Sequence, residues 1–125
     1  MADILIIDDD AQLSAMLKQL LERQGYTVIT APDGSKGIQL FHNEGARLII
    51  TDLIMPVKEG IETIAELTKA HPEVKIIAIS GGGRLKPESY LNLAETFGAL
   101  RSFTKPINRE ELLSAVAELL SDKTE

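Results

Sequence analysis

The stretch ILIIDDD, residues 4–10, joins a run of four bulky apolar residues directly to three carboxylates. A short, uninterrupted apolar run of this kind is typical of a strand that is buried on both faces of a sheet. Similar runs occur further along the chain at Val28-Ile29, Leu48-Ile50 and Ile76-Ile79. The sequence therefore predicts several buried strands, the first of which ends at a cluster of acidic side chains.

Apolar residues with helical spacing lie between these runs. Two strong stripes follow the i, i+3, i+4, i+7, i+8 pattern, one formed by Leu13, Met16, Leu17, Leu20 and Leu21 and the other by Leu112, Leu113, Val116, Leu119 and Leu120. Weaker helical patterns cover Ser35–Asn43, Ile61–Ala70 and Glu88–Phe97. The order is βα repeated five times, which predicts an α/β fold with a parallel sheet, helices on both faces and right-handed crossovers.

Polar residues stand where the predicted strands end: the pair Asp8-Asp9, then Asp52, Ser80 and Lys105. They recur at intervals that suit one or two βα units, so each falls at the same end of its strand. Open α/β sheets bind their ligands at the carboxyl ends of the strands. We therefore expect these side chains to meet at one edge of the sheet.

Taken singly, each of these residues has an ordinary explanation. Asp10, which follows the pair, is expected to cap the first helix. Together, however, converging carboxylates are costly, because two unit charges about 5 Å apart repel by roughly 3 kcal/mol at an effective dielectric constant near 20. A cation among them would remove this cost, and oxygen ligands without His or Cys favour Mg²⁺.

Composition limits the classes of protein. The 125 residues suit one domain with one core, which we expect to be structured over about residues 3–120 and to end in a short polar tail, residues 121–125. A net charge of -6 argues against direct binding of nucleic acid. The chain has no cysteine, which excludes disulfides and thiolate metal sites. It has neither a secretory signal nor an apolar run long enough for membrane insertion, so a cytoplasmic location is expected.

Motifs spread over the whole chain resemble the receiver domain of two-component response regulators, the family of the single-domain chemotaxis regulator. They are ILIIDDD (4–10), TDLIMPVKEG (51–60), AISG (78–81) and FTKPI (103–107). The resemblance is specific because these separated motifs agree in order and spacing. It implies a flavodoxin-like, doubly wound (βα)5 three-layer sandwich with the sheet order 2-1-3-4-5.

The resemblance also assigns site residues. It makes Asp52 the phosphoacceptor, whose carboxylate attacks the phosphorus of a phosphohistidine. Asp9, Asp52 and the backbone carbonyl of Ile54 would hold Mg²⁺ directly, and Asp8 would act through a water molecule. The loop that contains Ile54 ends at Gly60, where glycine would permit a positive φ.

The remaining roles concern the phosphoryl oxygens. Lys105 would pair with them, while the hydroxyl of Ser80 and the backbone amide of Gly81 would receive a further oxygen. In this family the peptide bond before the following proline is often cis, so the resemblance implies a cis bond between Lys105 and Pro106. The domain would catalyse only its own phosphorylation and dephosphorylation.

Partners follow from the same resemblance. A histidine kinase or a histidine phosphotransferase would supply the phosphoryl group. The family usually signals through the face formed by the fourth helix, fifth strand and fifth helix, here about Glu88–Leu120, so the output is expected to be binding of an effector protein.

The chain departs from the family in two places. Receivers usually carry an aromatic residue three positions before the active-site lysine, where this chain has Ser102, and the neighbouring Phe103 should point to the opposite face and fill the core. Three glycines, residues 81–83, follow Ser80. We further hypothesise that Ile54 and Gly82, neither of which has a side chain that can hydrogen-bond an attacking water, give the phosphoryl group a long lifetime.

Two other classes of function remain open at the level of sequence. A Mg²⁺-dependent phosphatase of the haloacid dehalogenase type would use the Asp8-x-Asp10 pair, although Gln12 and the absence of a later acidic pair do not fit it. A protein-interaction module on the same fold, without phosphorylation, is the other alternative. Retention of the complete acid, hydroxyl and lysine set makes that module less favoured.

Overall fold

A computed structural model of the chain describes residues 1–53, 60–81 and 87–121, with the backbone alone for residues 87–91. Strands and helices alternate within these ranges. The strands are β1 (Ala2–Ile7), β2 (Val28–Ala31), β3 (Ala46–Asp52), β4 (Ile76–Ser80) and β5 (Arg101–Thr104). The helices are α1 (Ala11–Arg23), α2 (Gly34–Glu44), α3 (Gly60–Ala70), α4 (Pro87–Phe97) and α5 (Arg109–Leu120).

The strands form one parallel sheet in the order β2-β1-β3-β4-β5. This confirms the predicted α/β class, the flavodoxin-like arrangement and the order 2-1-3-4-5. The ladders extend beyond the apolar runs, since Asp52 is still paired with Ile79 and Ser80 with Thr104. Strand pairing is a backbone property, and it therefore continues into the polar residues on which the site depends.

Two apolar clusters, one on each face of the sheet, make the molecule a three-layer sandwich. Successive residues of β1 alternate between them, so that Leu5 packs with α2, α3 and α4 while Ile6 packs with α1 and α5. Each side chain of this size that is fully buried contributes about 1.5–3 kcal/mol. Because helices cover both faces of the sheet, the ends of the strands are where a site can form.

The chain turns from β1 into α1 through a helix cap. The Asp10 carboxylate accepts hydrogen bonds from the backbone amides of Gln12 and Leu13, each at 3.1 Å. The expected role of Asp10 as the helix cap is thereby confirmed.

Among the helices described, none has the length and apolar character needed to cross a bilayer.

Candidate functional site

The four strand-end positions meet at one edge of the sheet. Asp8 follows β1 directly, Asp52 and Ser80 are the last residues of β3 and β4, and Lys105 follows β5. The backbone amide of Lys105 donates to the carbonyl of Ser80 at 2.9 Å, which carries the β4–β5 pairing one step further. All strands are parallel, so their carboxyl ends bring these side chains together, as the spacing predicted.

Three carboxylates form the centre of this edge. Ligand oxygens of Asp8, Asp9 and Asp52 all lie within 4.8 Å of one another. Asp8 and Asp52 are buried, whereas Asp9 is exposed to solvent. The cluster is therefore open on one side and offers only oxygen donors, a set that suits a hard divalent cation.

Lys105 provides the positive charge beside this cluster. Its Nζ lies 3.6 Å from Oδ2 of Asp8 and 3.5 Å from Oδ1 of Asp52. Among the residues that the structure describes, this one ammonium group offsets only part of the charge of the three carboxylates. The remaining negative charge favours binding of a cation.

Burial changes the acidity of the two inner carboxyl groups. Desolvation raises the pKa of Asp52 to about 6, with a further rise from the charge of Asp8 and partial opposition from Lys105 and the Leu53 amide. Desolvation also raises the pKa of Asp8, against the Asp10 amide and Lys105. At neutral pH, Asp52 is mostly ionised and can act as a nucleophile.

Backbone hydrogen bonds orient both carboxylates. Oδ1 of Asp8 accepts from the amide of Asp10 at 2.8 Å, and Oδ1 of Asp52 accepts from the amide of Leu53 at 3.0 Å. The carboxylate of Asp10 caps α1 instead of joining the cluster. A phosphatase of the haloacid dehalogenase type would need Asp10 as its second catalytic carboxylate, so this arrangement does not support that alternative.

Ser80 contributes a buried hydroxyl. Its side chain has no exposed surface, and Oγ has no hydrogen-bond partner within residues 1–53, 60–81 and 87–121. A buried hydroxyl without a partner costs about 1–3 kcal/mol. This cost is removed if an oxygen atom of a bound group accepts from Ser80.

Gly81 allows Lys105 to pass close to the backbone. A Cβ atom at residue 81 would lie 2.5 Å from Cβ and 2.9 Å from Cδ of Lys105. Only glycine leaves room for the lysine side chain in its observed path. The motif suggested a role for the amide of Gly81, but it gave no sign of this steric role, because the contact joins residues that follow different strands.

We expect Gly81→Ala to displace Lys105 from the two carboxylates. A misplacement of about 1 Å can reduce a rate by about a hundredfold, so the phosphorylation that the resemblance implies should slow by about ten- to a hundredfold when a small phosphodonor is supplied. Cβ of Lys105 is fixed by its own backbone and cannot rotate away, so the chain at residue 81 or 105 has to shift and the melting temperature should also fall. Phosphorylation at the rate of the original protein would contradict this role of Gly81.

The structure corrects the reason that was inferred from the sequence for glycine at residue 60. Its φ is not positive, so the conformational reason given for this glycine was wrong. A Cβ atom at residue 60 would instead collide with the backbone carbonyl oxygen of Asp52 and lie 2.6 Å from Cα of Leu53. Glycine is needed here because the start of α3 packs directly on the backbone at the end of β3.

The two departures from the family have different outcomes. The Ser102 hydroxyl donates to Oε2 of Glu95 on α4 at 2.7 Å, and Phe103 packs on the other face against the core shared by α1 and α5, as expected. The peptide bond between Lys105 and Pro106 is cis, which confirms that expectation. Ile54 and Gly82 lie outside the described residues, as does the third residue of the glycine run.

Known proteins with similar sequences are response regulators. A family model, the response regulator receiver domain, matches residues 4–117. The transcriptional regulatory protein CpxR of Escherichia coli is 35% identical over 120 residues, which are 96% of this chain and 50% of the relative. The DNA-binding transcriptional regulator NtrC of Azospirillum brasilense is 33% identical over 123 residues, 98% of this chain and 25% of the relative. The chain thus spans half or less of the length of these relatives.

Two solved structures are similar to this chain over nearly their whole length. The CheY-like response regulator receiver domain protein of Methanospirillum hungatei is 31% identical with a TM-score of 0.87, and the match covers 97% of this chain and 94% of that one. A receiver domain protein of Clostridium thermocellum is 29% identical with a TM-score of 0.87, covering 97% and 95%. These matches give no support to the phosphatase alternative.

Proposed function

Because this chain belongs to the receiver-domain family of two-component response regulators, we propose that Asp52 is its phosphoacceptor and that Asp8, Asp9 and Asp52 bind Mg²⁺. The position of Asp52 carries the proposal. It is a buried carboxylate at the end of a central strand, 3.5 Å from an ammonium group and within reach of two further carboxylates. We propose one receiver domain over about residues 3–120.

The geometry supports transfer of a phosphoryl group to Asp52. A carboxylate oxygen attacks phosphorus, the bond from phosphorus to the donor nitrogen breaks, and the imidazole leaves as the product is formed. Lys105, whose Nζ lies 3.5 Å from Oδ1 of Asp52, would neutralise charge on the incoming oxygens, and the buried hydroxyl of Ser80 and the backbone amide of Gly81 would receive a further oxygen. Catalysis of this type consists mainly of positioning and charge neutralisation.

The donor set fits Mg²⁺. Carboxylates of Asp9 and Asp52 would hold the ion directly, together with the backbone carbonyl of Ile54 that the resemblance implies. When bound, Mg²⁺ supplies positive charge that draws the attacking carboxylate and the phosphoryl oxygens together. We expect Asp8, whose Oδ1 already accepts from the Asp10 amide, to act through a water molecule.

The receiver is a signalling domain, and its catalysis would be limited to its own phosphorylation and dephosphorylation. A histidine kinase or histidine phosphotransferase would be the donor, and the surface formed by about residues 88–120 would bind the effector. The net charge of -6 favours a protein partner over direct contact with nucleic acid. The cytoplasmic location expected from the sequence stays a prediction.

Intact mass spectrometry tests the acceptor directly. After incubation with Mg²⁺ and a small phosphodonor such as acetyl phosphate or phosphoramidate, the protein should gain the mass of one phosphoryl group. The modification should be lost in base, as expected of an acyl phosphate. Removal of Mg²⁺ by chelation should prevent it, since the carboxylates then repel the incoming phosphoryl oxygens.

Two variants separate this function from its alternatives. Asp52→Asn should gain no phosphoryl group, whereas Asp10→Asn, which keeps a helix-capping side chain, should gain it normally. Turnover of the donor without a stable adduct would indicate a phosphatase. Absence of any modification in the original protein would indicate an interaction module.

A further inference from the structure

The only two histidines of the chain, His42 and His71, lie beside each other. His42 is in the last turn of α2, and His71 directly follows α3. Their ring centroids are 5.1 Å apart, with the ring planes inclined by 56°. In a parallel α/β sandwich the helices end at the edge where the strands begin, so this pair lies at the opposite edge from the acidic cluster.

The separation of the two rings fits a shared metal ion. Imidazoles that bind one tetrahedral ion through nitrogens about 2.0–2.1 Å away have ring centroids about 5 Å apart. Each ring is carried by the end of a helix, and both helices are packed on the same face of the sheet. The pair can therefore bind an ion without first ordering a loop.

Phe41 supports the inner ring of the pair. Its ring meets that of His71 edge to face, with centroids 5.0 Å apart, and His71 is half-buried. The outer ring, that of His42, is exposed. One ligand is thus held in place by packing while the other is accessible to an ion from solvent.

The local electrostatics also favour a cation. The C-terminal end of a helix carries partial negative charge on its free carbonyl groups, and two such ends are next to each other here. Imidazole nitrogen prefers borderline cations such as Zn²⁺, Ni²⁺ and Cu²⁺, whereas Mg²⁺ prefers oxygen. The two edges of the sheet thus differ in the class of cation that they suit.

We propose that His42 and His71 form a two-histidine site for a transition-metal cation of the Zn²⁺, Ni²⁺ and Cu²⁺ class. Within the described residues, the acidic cluster is the one place where three or more ligating side chains of this kind converge. The histidine site therefore supplies two protein ligands and leaves the other positions to water or to a ligand from another molecule. It is independent of the phosphoacceptor proposal.

Zn²⁺ titration of the Mg²⁺-saturated protein, followed by calorimetry and by backbone amide chemical shifts, tests the site. The original protein should bind one Zn²⁺ with the largest shifts around residues 41–45 and 70–73. His42→Ala and His71→Phe should each weaken this binding by at least about tenfold, since loss of even an outer partner costs 10–100-fold in metal affinity. The second variant keeps an aromatic ring against Phe41 and so protects the packing.

Controls separate this site from the acidic edge. Asn43→Ala, a change beside His42 that removes no metal ligand, should leave Zn²⁺ affinity unchanged. Cu²⁺ should bind more tightly than Ni²⁺ or Zn²⁺, and its electron paramagnetic resonance spectrum should show coupling to two nitrogens. The proposal is overturned if shifts occur only around the acidic cluster, or if either histidine variant keeps the original affinity.

Discussion

Replacement of Asp52 by Asn is expected to raise the free energy of unfolding by about 1–3 kcal/mol at pH 8 in Mg²⁺-free buffer. The carboxylate is buried and its pKa is raised to about 6 from 3.8, chiefly by desolvation and then by the charge of Asp8. A shift of about two units corresponds to roughly 3 kcal/mol. This figure already includes the opposing attraction of Lys105, and the gain should fall somewhat below it because solvent at the open side of the cluster screens the charges.

The pH dependence has a definite sign. A raised pKa means that Asp52 binds its proton more tightly in the folded state than in the unfolded chain. The stabilisation that this proton gives to the fold is therefore complete below about pH 4 and is lost as the pH rises to about 6. The advantage of Asp52→Asn should therefore grow across this window and stay constant above it. Urea unfolding of both proteins at a series of pH values measures the difference directly.

Asp3 provides a control of opposite sign. Its pKa is lowered, first by the hydrogen bond from the Thr27 amide and then by Arg47, so its ionised form stabilises the fold. Asp3→Asn should accordingly reduce stability at pH 8 and have less effect at low pH. If Asp52→Asn also reduced stability at pH 8, the account of Asp52 as a destabilising buried charge would be wrong.

Mg²⁺ should reduce or reverse the difference in stability between the original protein and Asp52→Asn. A ligand that binds only the folded state stabilises it by an amount that grows with its concentration, about 2.7 kcal/mol at a hundred times the dissociation constant. The original protein should thus gain from Mg²⁺, while Asp52→Asn, which lacks one of three carboxylates, should gain less. The same carboxylate therefore lowers stability without the cation and increases the gain that the cation gives.

The sequence predicted the fold, and the convergence of the strand-end positions at one edge of the sheet, for a physical reason. Burial on both faces produces uninterrupted apolar runs, and parallel strands place whatever follows those runs at one edge. Asp8, Asp52, Ser80 and Lys105 could be placed by this logic, since it depends only on spacing along the chain. Asp10 could be assigned to the helix for the same reason, because capping is a local interaction.

Contacts between distant elements could not be predicted in this way. The need for glycine at residue 60 comes from the carbonyl of Asp52, and the partner of Ser102 is Glu95 on α4. The raised pKa of Asp52 likewise depends on how much solvent the assembled edge excludes. Steric contacts, hydrogen bonds and burial between distant elements arise only when the layers pack, so they cannot be predicted from the residues of a single motif.

Gly60→Ala is expected to lower the free energy of unfolding by about 2–3 kcal/mol, the upper range for overpacking. The new Cβ would collide with the carbonyl oxygen of Asp52 and approach Cα of Leu53, and these backbone atoms cannot rotate away as a side chain can. Alanine has a better helix propensity than glycine by about 1 kcal/mol, but this gain is smaller than the cost of the collision. Any relaxation has to move the end of β3, so phosphorylation of the proposed acceptor Asp52 by a small donor should also slow.

Gly25→Ala is the matched control for this substitution. Gly25 has a φ of +95°, and a Cβ atom there would meet nothing within 4 Å. Its replacement should cost about 1–2 kcal/mol through backbone strain and leave the rate of phosphorylation unchanged. Urea unfolding and the mass assay together distinguish backbone strain from a collision with Asp52. Strain far from the site should lower only the free energy of unfolding, whereas the collision should lower both that free energy and the rate of phosphorylation. A Gly60→Ala protein that matched Gly25→Ala in both measurements would show that α3 can withdraw without disturbing the acceptor.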